Sequence, residues 1–431
     1  MEKVEQFDIA KMSPGQCHIH FIGIGGVGTA PLARIVSEQG HKVSGSDLEL
    51  NAKTAELVEQ GATIHCGHRA EHLPVDTALV VYSAAVPADN LELAAARARA
   101  IPCLGRGQFL AAVAAQFRRQ VAISGSHGKT SVTALLAWIL RYNGLACGYL
   151  IGGAVKGFPS SAAGDGDIFI FEADESDGSH VLLNPGLGIV TNVEDDHAWS
   201  VGGGDKLFDN FARFAAQSEK LLYVPDANSK RLFKDHPNAI CFQAKPADFS
   251  ALTGFIKTNA ALAAAAAELL DIPPENAAAA IAAFPGVARR MAVHYNSSRL
   301  IVIEDYAHHP TEVRAALSVL RTQYPGHHLR VVFQPHRYAR LQKYFDQFAL
   351  ELRQADSIFI LPVFAAWSEK GEVSASKLAA ATGSNATCLD CTGQQTAQAV
   401  LTPVEQPLLL AVIGAGDIEK IIPEVLAAVK K

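Results

Sequence analysis

The chain has 431 residues, 49% hydrophobic and 19% charged, the composition of a folded globular protein with room for about three domains of roughly 150 residues each. A formal charge of −6 argues against a nucleic-acid partner and against a polybasic membrane surface. Seven scattered cysteines, an odd number, exclude a disulfide framework and suit free thiols in a reducing cytoplasm. Cys388 and Cys391 form a lone C-x-x-C pair without the second pair that zinc spacing needs. The start of the chain has no apolar signal core, and no run of about 18 apolar residues reads as a span, so a cytoplasmic protein without membrane insertion is expected.

In chain order, the first predicted strand, His18 to Ile22, turns at Gly23-Ile24-Gly25-Gly26-Val27-Gly28 into a helix through Ala30 to Gln39. A second strand, Lys42 to Ser46, ends at Asp47. This is G-x-G-x-x-G in a β-α-β setting with an acidic residue after the second strand, the arrangement that places a nucleotide's phosphates at a helix N-terminus. A nicotinamide dinucleotide is the commonest ligand of such a fingerprint, but the string alone does not choose the nucleotide. The segment continues with a helix from Thr54 to Gln60, a strand from Ala78 to Ser83, a helix from Leu91 to Ala100 and a strand from Ile101 to Cys103 and Leu104. Gly105-Arg106-Gly107 reads as the exit from the first domain.

A strand over Gln120 to Ile123 then feeds Ser124-Gly125-Ser126-His127-Gly128-Lys129-Thr130-Ser131, and a helical pattern follows from Val132 to Leu140. Strand, glycine loop, Lys-Thr and helix make a phosphate-binding loop in its short form. The glycines let the backbone approach phosphates, Lys129 adds a cation, and Thr130 offers a hydroxyl to Mg²⁺. The strand Asp167 to Phe171 ends in Glu172-Ala173-Asp174-Glu175-Ser176-Asp177, where crowded carboxylates would repel unless they share a cation; Mg²⁺ is the expected one. A solvated acidic loop is the plainer alternative. Another strand, Leu187 to Asn192, delivers Val193-Glu194-Asp195-Asp196-His197 to the same edge. The alanine-rich tract from Ala260 to Leu270 reads as a buried helix.

In the last third, a strand from Leu300 to Ile303 runs into Glu304-Asp305-Tyr306-Ala307-His308-His309, and Pro310 or Thr311 opens a helix to Leu320. Leu329 to Phe333 leads to Gln334-Pro335-His336-Arg337-Tyr338-Ala339-Arg340, followed by strands at Ser357 to Ile360 and Leu408 to Ile413. The whole is an α/β chain of alternating strands and helices, with doubly wound parallel sheets. Tyr306, His308, Arg337 and Arg340 at one sheet edge suit recognition of a carboxylate or phosphate.

Taken together, G-I-G-G-V-G, G-S-H-G-K-T-S, E-A-D-E-S-D, T-N-V-E-D-D-H, G-V-A-R-R, E-D-Y-A-H-H-P-T-E, Q-P-H-R-Y-A-R and G-A-G-D-I resemble, in order and over nearly the whole chain, the motifs of the Mur ligases of peptidoglycan synthesis. The resemblance implies three domains: a Rossmann-like UDP-sugar-binding domain (1–106), a central P-loop ATPase domain (107–293) and a Rossmann-like amino-acid-binding domain (294–431). It implies ATP and Mg²⁺ as cofactors, UDP-N-acetylmuramate and L-alanine as small-molecule substrates, and a monomer or homodimer. The reaction implied is amide formation through an acyl phosphate. Gly23, Gly25, Gly26, Gly28, Asp47, Ser83 and Arg106 are implied to hold the sugar nucleotide, and Tyr306, His308, Arg337 and Arg340 the amino acid. For ATP the implied residues are Gly125, Ser126, His127, Gly128, Lys129, Thr130, Ser131, Asn259, Arg290 and Asp305. Lys129, His197 and Arg290 are implied in catalysis, and Thr130, Glu172 and His197 in metal binding. Glu172 is preferred to Glu175 because it stands at the strand end, and Arg289 is the second choice beside Arg290.

The sequence also departs from the family pattern. Thr253 to Thr258 lack the His-Asn pair that normally precedes the equivalent of Asn259, Tyr223 to Gly254 is short, and Trp199 replaces an acidic residue. Beside the active ligase, three other readings stay open: a non-catalytic or regulatory sugar-nucleotide-binding paralogue, a muropeptide-recycling ligase, and an NAD-dependent oxidoreductase.

Overall fold

The computed structural model describes residues 17–196, 198–243, 249, 252–366, 371–389 and 394–429. Three sheets carry the chain. The first has five parallel strands: β1 (His18–Ile22), β2 (Lys42–Asp47), β3 (Thr63–Cys66), β4 (Thr77–Tyr82) and β5 (Cys103–Gly105), in the order β3-β2-β1-β4-β5. The second has seven: β6 (Arg119–Ser124), β7 (Cys147–Leu150), β8 (Ser161–Ala162), β9 (Ile168–Glu172), β10 (Leu187–Val190), β11 (Lys220–Tyr223) and β12 (Ala239–Cys241). Their order is β12-β11-β10-β6-β9-β7-β8, parallel except for the short edge strand β8. The third has β13 (Ala292–Asn296), β14 (Leu300–Asp305), β15 (His328–Phe333), β16 (Ser357–Ile360), β17 (Ala386–Cys388) and β18 (Leu408–Ile413), in the order β13-β14-β18-β15-β16-β17, with only β13 antiparallel.

The sheets fall into two compact units. One comprises residues 1–246 and 259–285 and carries the first two sheets; the other comprises 247–258 and 286–431 and carries the third. In the first unit a continuous apolar core joins residues under both sheets, among them Phe21, Phe109, Phe169 and Phe211, all fully buried. In the second, the third sheet is covered on both faces, by Leu317, Leu320 and Phe333 on one and by Val332, Val412 and Ile421 on the other. Strands buried on both faces read as near-continuous apolar runs, which is why they stand out in the sequence.

Several expected boundaries move for local reasons. The helix expected over 91–100 stops at Ala98, because Ala100 takes a left-handed φ of 52°. The helix expected from Thr54 begins at Ala52, where the Asn51 side chain accepts the Lys53 and Thr54 amides at 3.0 and 3.2 Å. At Gly105 to Gly107, read as the exit from the first domain, the helix Arg106–Ala114 leaves β5 directly. The alanine-rich helix spans Gly254–Glu268 and buries Ala260, Leu262, Ala263 and Ala267. Among the described residues six cysteines are free and no helix is long and apolar enough to cross a membrane; Cys391 lies outside the described residues.

Candidate active site

Register decides which side chains meet. Ile22 at the end of β1 pairs with Ser46 and with Tyr82, so the glycine loop, Asp47 and Ser83 leave the first sheet side by side. The strand order reverses between β1 and β4, the kind of switch point where α/β sheets hold ligands. Gly23 adopts a φ of 77°, and its amide donates to Ser46 O at 2.8 Å. Asp47 does not stand free at the strand end: its Oδ2 accepts the Gly25 amide at 2.7 Å. Asn51 Nδ2 donates to Gly25 O at 3.2 Å and Thr29 Oγ1 to Gly23 O at 2.5 Å, so side chains fix the loop from both ends. A Cβ at Gly26 would lie 2.8 Å from Thr29 Oγ1, and one at Gly28 would lie 2.6 Å from the Arg106 Cδ. Arg106 thus borders the glycine loop. Ser83 Oγ caps its own turn by accepting the Ala85 amide at 3.3 Å.

In the second sheet, β6 lies between β9 and β10; Ile123 pairs with Glu172, and Ser124 with Val190. Three strand ends therefore reach one edge. Gly125 and Gly128 have φ of 131° and 86°, and Gly128 caps the helix Lys129–Tyr142. The segment leaving β10 clamps the loop: the His127 amide donates to Asn192 Oδ1 at 2.9 Å, Asn192 Nδ2 to His127 O at 3.0 Å, and the Glu194 amide to Ser126 Oγ at 2.9 Å. A Cβ on Gly128 would touch Asn259 Oδ1 at 3.0 Å, which sets Asn259 against the phosphate loop. Ser131 lies half-buried in the first turn of the helix.

Lys129 Nζ donates to Gly125 O and to Glu175 Oε2, both at 2.7 Å, while Thr130 Oγ1 donates to Glu172 Oε2 at 3.2 Å. The two glutamates are thereby divided, Glu175 to the lysine and Glu172 to the threonine. Burial works against the Lys129 charge, but Glu175, Asp174 and Glu172 outweigh it and hold its pKa above the ordinary lysine value. Burial pushes the Glu175 carboxyl up to about 7 against the pull of Lys129, and it pushes Glu172 upward as well. Asp174 goes the other way: burial opposes its charge, but Lys129, the Ser176 amide and Arg106 bring it down to about 2.

The donors beside Thr130 fit a magnesium ion. They are a hydroxyl and a carboxylate, hard oxygen ligands, and the Glu172 carboxyl, disfavoured as an anion by burial, gains from a cation. Glu175 adds a buried Oε1 without a hydrogen-bond partner three residues on. His197, expected at a metal position, lies outside the described residues.

Sequence reading missed Glu175 as the lysine's partner, Asn192 as the loop's clamp and His180 beneath the acidic loop. His180 is fully buried against Phe211 and Phe214, with ring centroids 5.4 and 5.9 Å away. Burial lowers its pKa to about 4, and Asp174 opposes this only in part. The signal for Asn192 was available, a polar residue directly after a buried strand; nothing in the string marked the other two.

In the second unit, Asp305 is buried, and its two oxygens accept the Met291 and Ala307 amides at 2.9 and 2.8 Å. Burial pushes its carboxyl up to about 6 against the pull of Arg290. The Tyr306 ring lies 4.8 Å from the Arg289 guanidinium and 5.0 Å from that of Arg290. Arg289 is engaged by Glu304 at 2.8 Å and by Gly414 O at 2.8 Å, and Arg290 approaches Glu312 at 3.7 Å. His308 Nδ1 lies 3.0 Å from Tyr306 O and 3.2 Å from Glu312. Arg340, almost fully buried, meets His336 Nδ1 at 3.2 Å, and Arg337 opens its helix with a left-handed φ of 68°. Tyr306, His308, Arg337 and Arg340 thus gather at the carboxyl edge formed by β14 and β15.

A glycine cradle and a phosphate loop facing buried carboxylates define a nucleotide-binding α/β protein, and the comparisons with known proteins place it. The chain matches the Mur ligase family's catalytic domain over residues 18–118, its middle domain over 123–251 and its glutamate ligase domain over 289–416. It belongs to the Mur ligase family. Among its relatives, the UDP-N-acetylmuramate--L-alanine ligase of Syntrophomonas wolfei is 35% identical over 452 aligned positions, which cover 95% of this chain and 96% of that one. The corresponding enzyme of Sorangium cellulosum is 36% identical, with 81% and 82% covered. The crystal structure of UDP-N-acetylmuramate-alanine ligase MurC from Thermotoga maritima shares the fold, with a TM-score of 0.80 at 23% identity over 96% of this chain and 99% of that one. The first alignment is longer than the 431 residues of this chain, so that relative carries segments absent here.

Proposed function

We propose that this chain is an ATP-dependent ligase that joins the lactyl carboxylate of UDP-N-acetylmuramate to the amine of L-alanine, in peptidoglycan precursor synthesis. The observation that carries the reading is the placement of Lys129, at the head of a phosphate-loop helix and 2.7 Å from a buried glutamate, with Thr130 and Glu172 beside it. The substrate carboxylate attacks the γ-phosphorus of ATP and ADP leaves; the amine then attacks the acyl phosphate, inorganic phosphate departs and the nitrogen loses a proton. Negative charge builds on the phosphoryl oxygens in both steps, where Lys129 and the free amides of Gly128 to Ser131 stabilise it. Magnesium, when bound, neutralises the same oxygens; Thr130 and Glu172 would hold it, and His197 is assigned to a second metal position. Ser126, His127 and Asn259 complete the ATP site.

Residues 1–106 on this reading hold the sugar nucleotide, 107–293 the ATP and 294–431 the amino acid. Gly23, Gly25, Gly26, Gly28, Asp47, Ser83 and Arg106 line the first site, and Tyr306, His308, Arg337 and Arg340 the third; Arg290 and Asp305 are assigned to ATP. The protein works in the cytoplasm, where UDP-sugars and ATP are available, as a monomer or homodimer. Phosphate release and the amide product are measured with UDP-N-acetylmuramate plus L-alanine, glycine, L-serine or no amino acid. Both products should form with L-alanine and require the sugar nucleotide. Binding of the sugar nucleotide without product under every condition would overturn the ligase in favour of a non-catalytic paralogue.

A further inference from the structure

Arg106 touches both nucleotide sites of the first unit, and the two edges of its guanidinium face different ways. Its stem runs beneath the glycine loop: a Cβ at Gly28 would lie 2.6 Å from Cδ, 3.3 Å from Nε and 3.4 Å from Nη1. The far edge carries Nη2, which donates to the Asp177 carboxylate and to Ser179 Oγ, the latter at 3.3 Å. Nε and Nη1, the donors nearest the glycine loop, have no acceptor among the described residues, although the side chain is only 15% exposed. A half-buried fork with spare N–H groups beside a glycine loop is an anion-binding arrangement.

The Asp177 side of the fork leads into the acidic loop. Asp177 Oδ1 accepts the Ser179 amide at 2.9 Å, and the intervening Gly178, with a φ of 69°, donates its amide to Glu175 O at 3.1 Å. The Ser176 amide is held by Asp174 Oδ1 at 2.9 Å. Glu175 in turn holds Lys129. A short path therefore runs from the glycine loop, which Arg106 meets by packing, through the Arg106–Asp177 pair and the hydrogen-bonded turn Glu175 to Ser179 to the phosphate-loop lysine.

We propose that Arg106 is a positioning residue that couples the two sites: a diphosphate on the glycine loop takes the Nε and Nη1 donors, pins the guanidinium on Asp177, and so orders the acidic loop that places Lys129 for ATP. The ligand class, a nucleoside diphosphate, rests on the function proposed above. Coupling of this kind is reciprocal, and filling either site tightens the other by the same factor.

The test is calorimetric titration of the full chain with a non-hydrolysable ATP analogue and Mg²⁺, with and without saturating UDP. In the wild type UDP should tighten the analogue about fivefold or more, the low end of ordinary coupling. Asp177→Asn should bring that factor to about one while changing the analogue's affinity in the absence of UDP less than about twofold; Arg106→Lys should bring the factor to about one as well, and Asp177→Glu should restore part of what Asp177→Asn loses. An interdomain brace would lower the melting temperature in these variants without moving the factor. A factor of one in the wild type, or the wild-type factor retained in both Asp177→Asn and Arg106→Lys, overturns the proposal. The ligase reading fails separately: no phosphate release with both substrates, beside intact coupling by UDP, would sink that reading and leave the coupling standing.

Discussion

The loop after β1 and the loop after β6 share a parallel strand, a left-handed glycine and a helix start, yet their charges are arranged in opposite ways. In the first, a carboxylate closes on the backbone: Asp47 holds the Gly25 amide, and the nearest cation is Arg106 at the rim. In the second, a cation sits inside: Lys129 is buried among Glu172, Asp174 and Glu175, and an asparagine and a threonine clamp the backbone instead. The first arrangement suits a diphosphate that is held and released unchanged. The second suits a phosphoryl group that moves, because a fixed cation is already in place where charge develops. Fold alone does not separate the two tasks; the electrostatics at equivalent strand ends does.

Substitutions can break this comparison at several points. The largest effect falls on Lys129→Ala, which should slow phosphate release by about a hundredfold to a thousandfold or more, with sugar-nucleotide binding unchanged by calorimetry. Next is Gly125→Ala, whose new Cβ would drive into the Thr191 side chain at a φ of 131°. Chemical denaturation should show a loss of about 2–3 kcal/mol there. Gly28→Ala meets only the flexible stem of Arg106 and should lose about 1 kcal/mol or less. Asp47→Ala removes one charged hydrogen bond from the first loop and should weaken sugar-nucleotide binding about tenfold, leaving ATP binding as it was.

The effect confined to low pH concerns His180, and it sharpens the contrast by asking what supports the acidic loop. Its folded pKa is about 4 against an ordinary 6.5, so the unfolded chain takes up the proton first. Stability is therefore intact above pH 6.5 and is lost as the pH falls toward 4. His180→Phe keeps the ring among Phe211 and Phe214 and should recover about 1–3 kcal/mol near pH 4, with little change above pH 6.5, in denaturant melts across that range.

Much of this was legible in the sequence, and for a common reason. Buried parallel strands such as β1, β6, β9 and β10 are short apolar runs, and the residues after each one are bound to reach the same sheet edge. That logic set Gly23, Lys129 and Glu172 at the ends of β1, β6 and β9, where the structure has them. It failed for β3, whose residues are exposed or half-buried and give no apolar run, and for the antiparallel strand β13, which is half exposed for the same reason. It also failed on partners. Asp47 was read as a nucleotide-binding residue at a strand end, and the hydrogen bond that it also accepts from the Gly25 amide depends on loop geometry that no spacing encodes. Glu175 reaches Lys129 because the chain turns sharply at Asp174 to Gly178, a feature set by φ at Gly178 and not by the order of carboxylates.

The division of labour between the two loops is tested most directly by measuring phosphate release and UDP-N-acetylmuramate binding in parallel, on the wild type and on Lys129→Ala. The account predicts that the wild type releases phosphate only with both UDP-N-acetylmuramate and L-alanine present, and that the variant binds the sugar nucleotide as tightly but releases phosphate at least about a hundredfold more slowly. Phosphate release retained in Lys129→Ala, or sugar-nucleotide binding lost with it, would contradict the assignment of holding to the first loop and transfer to the second.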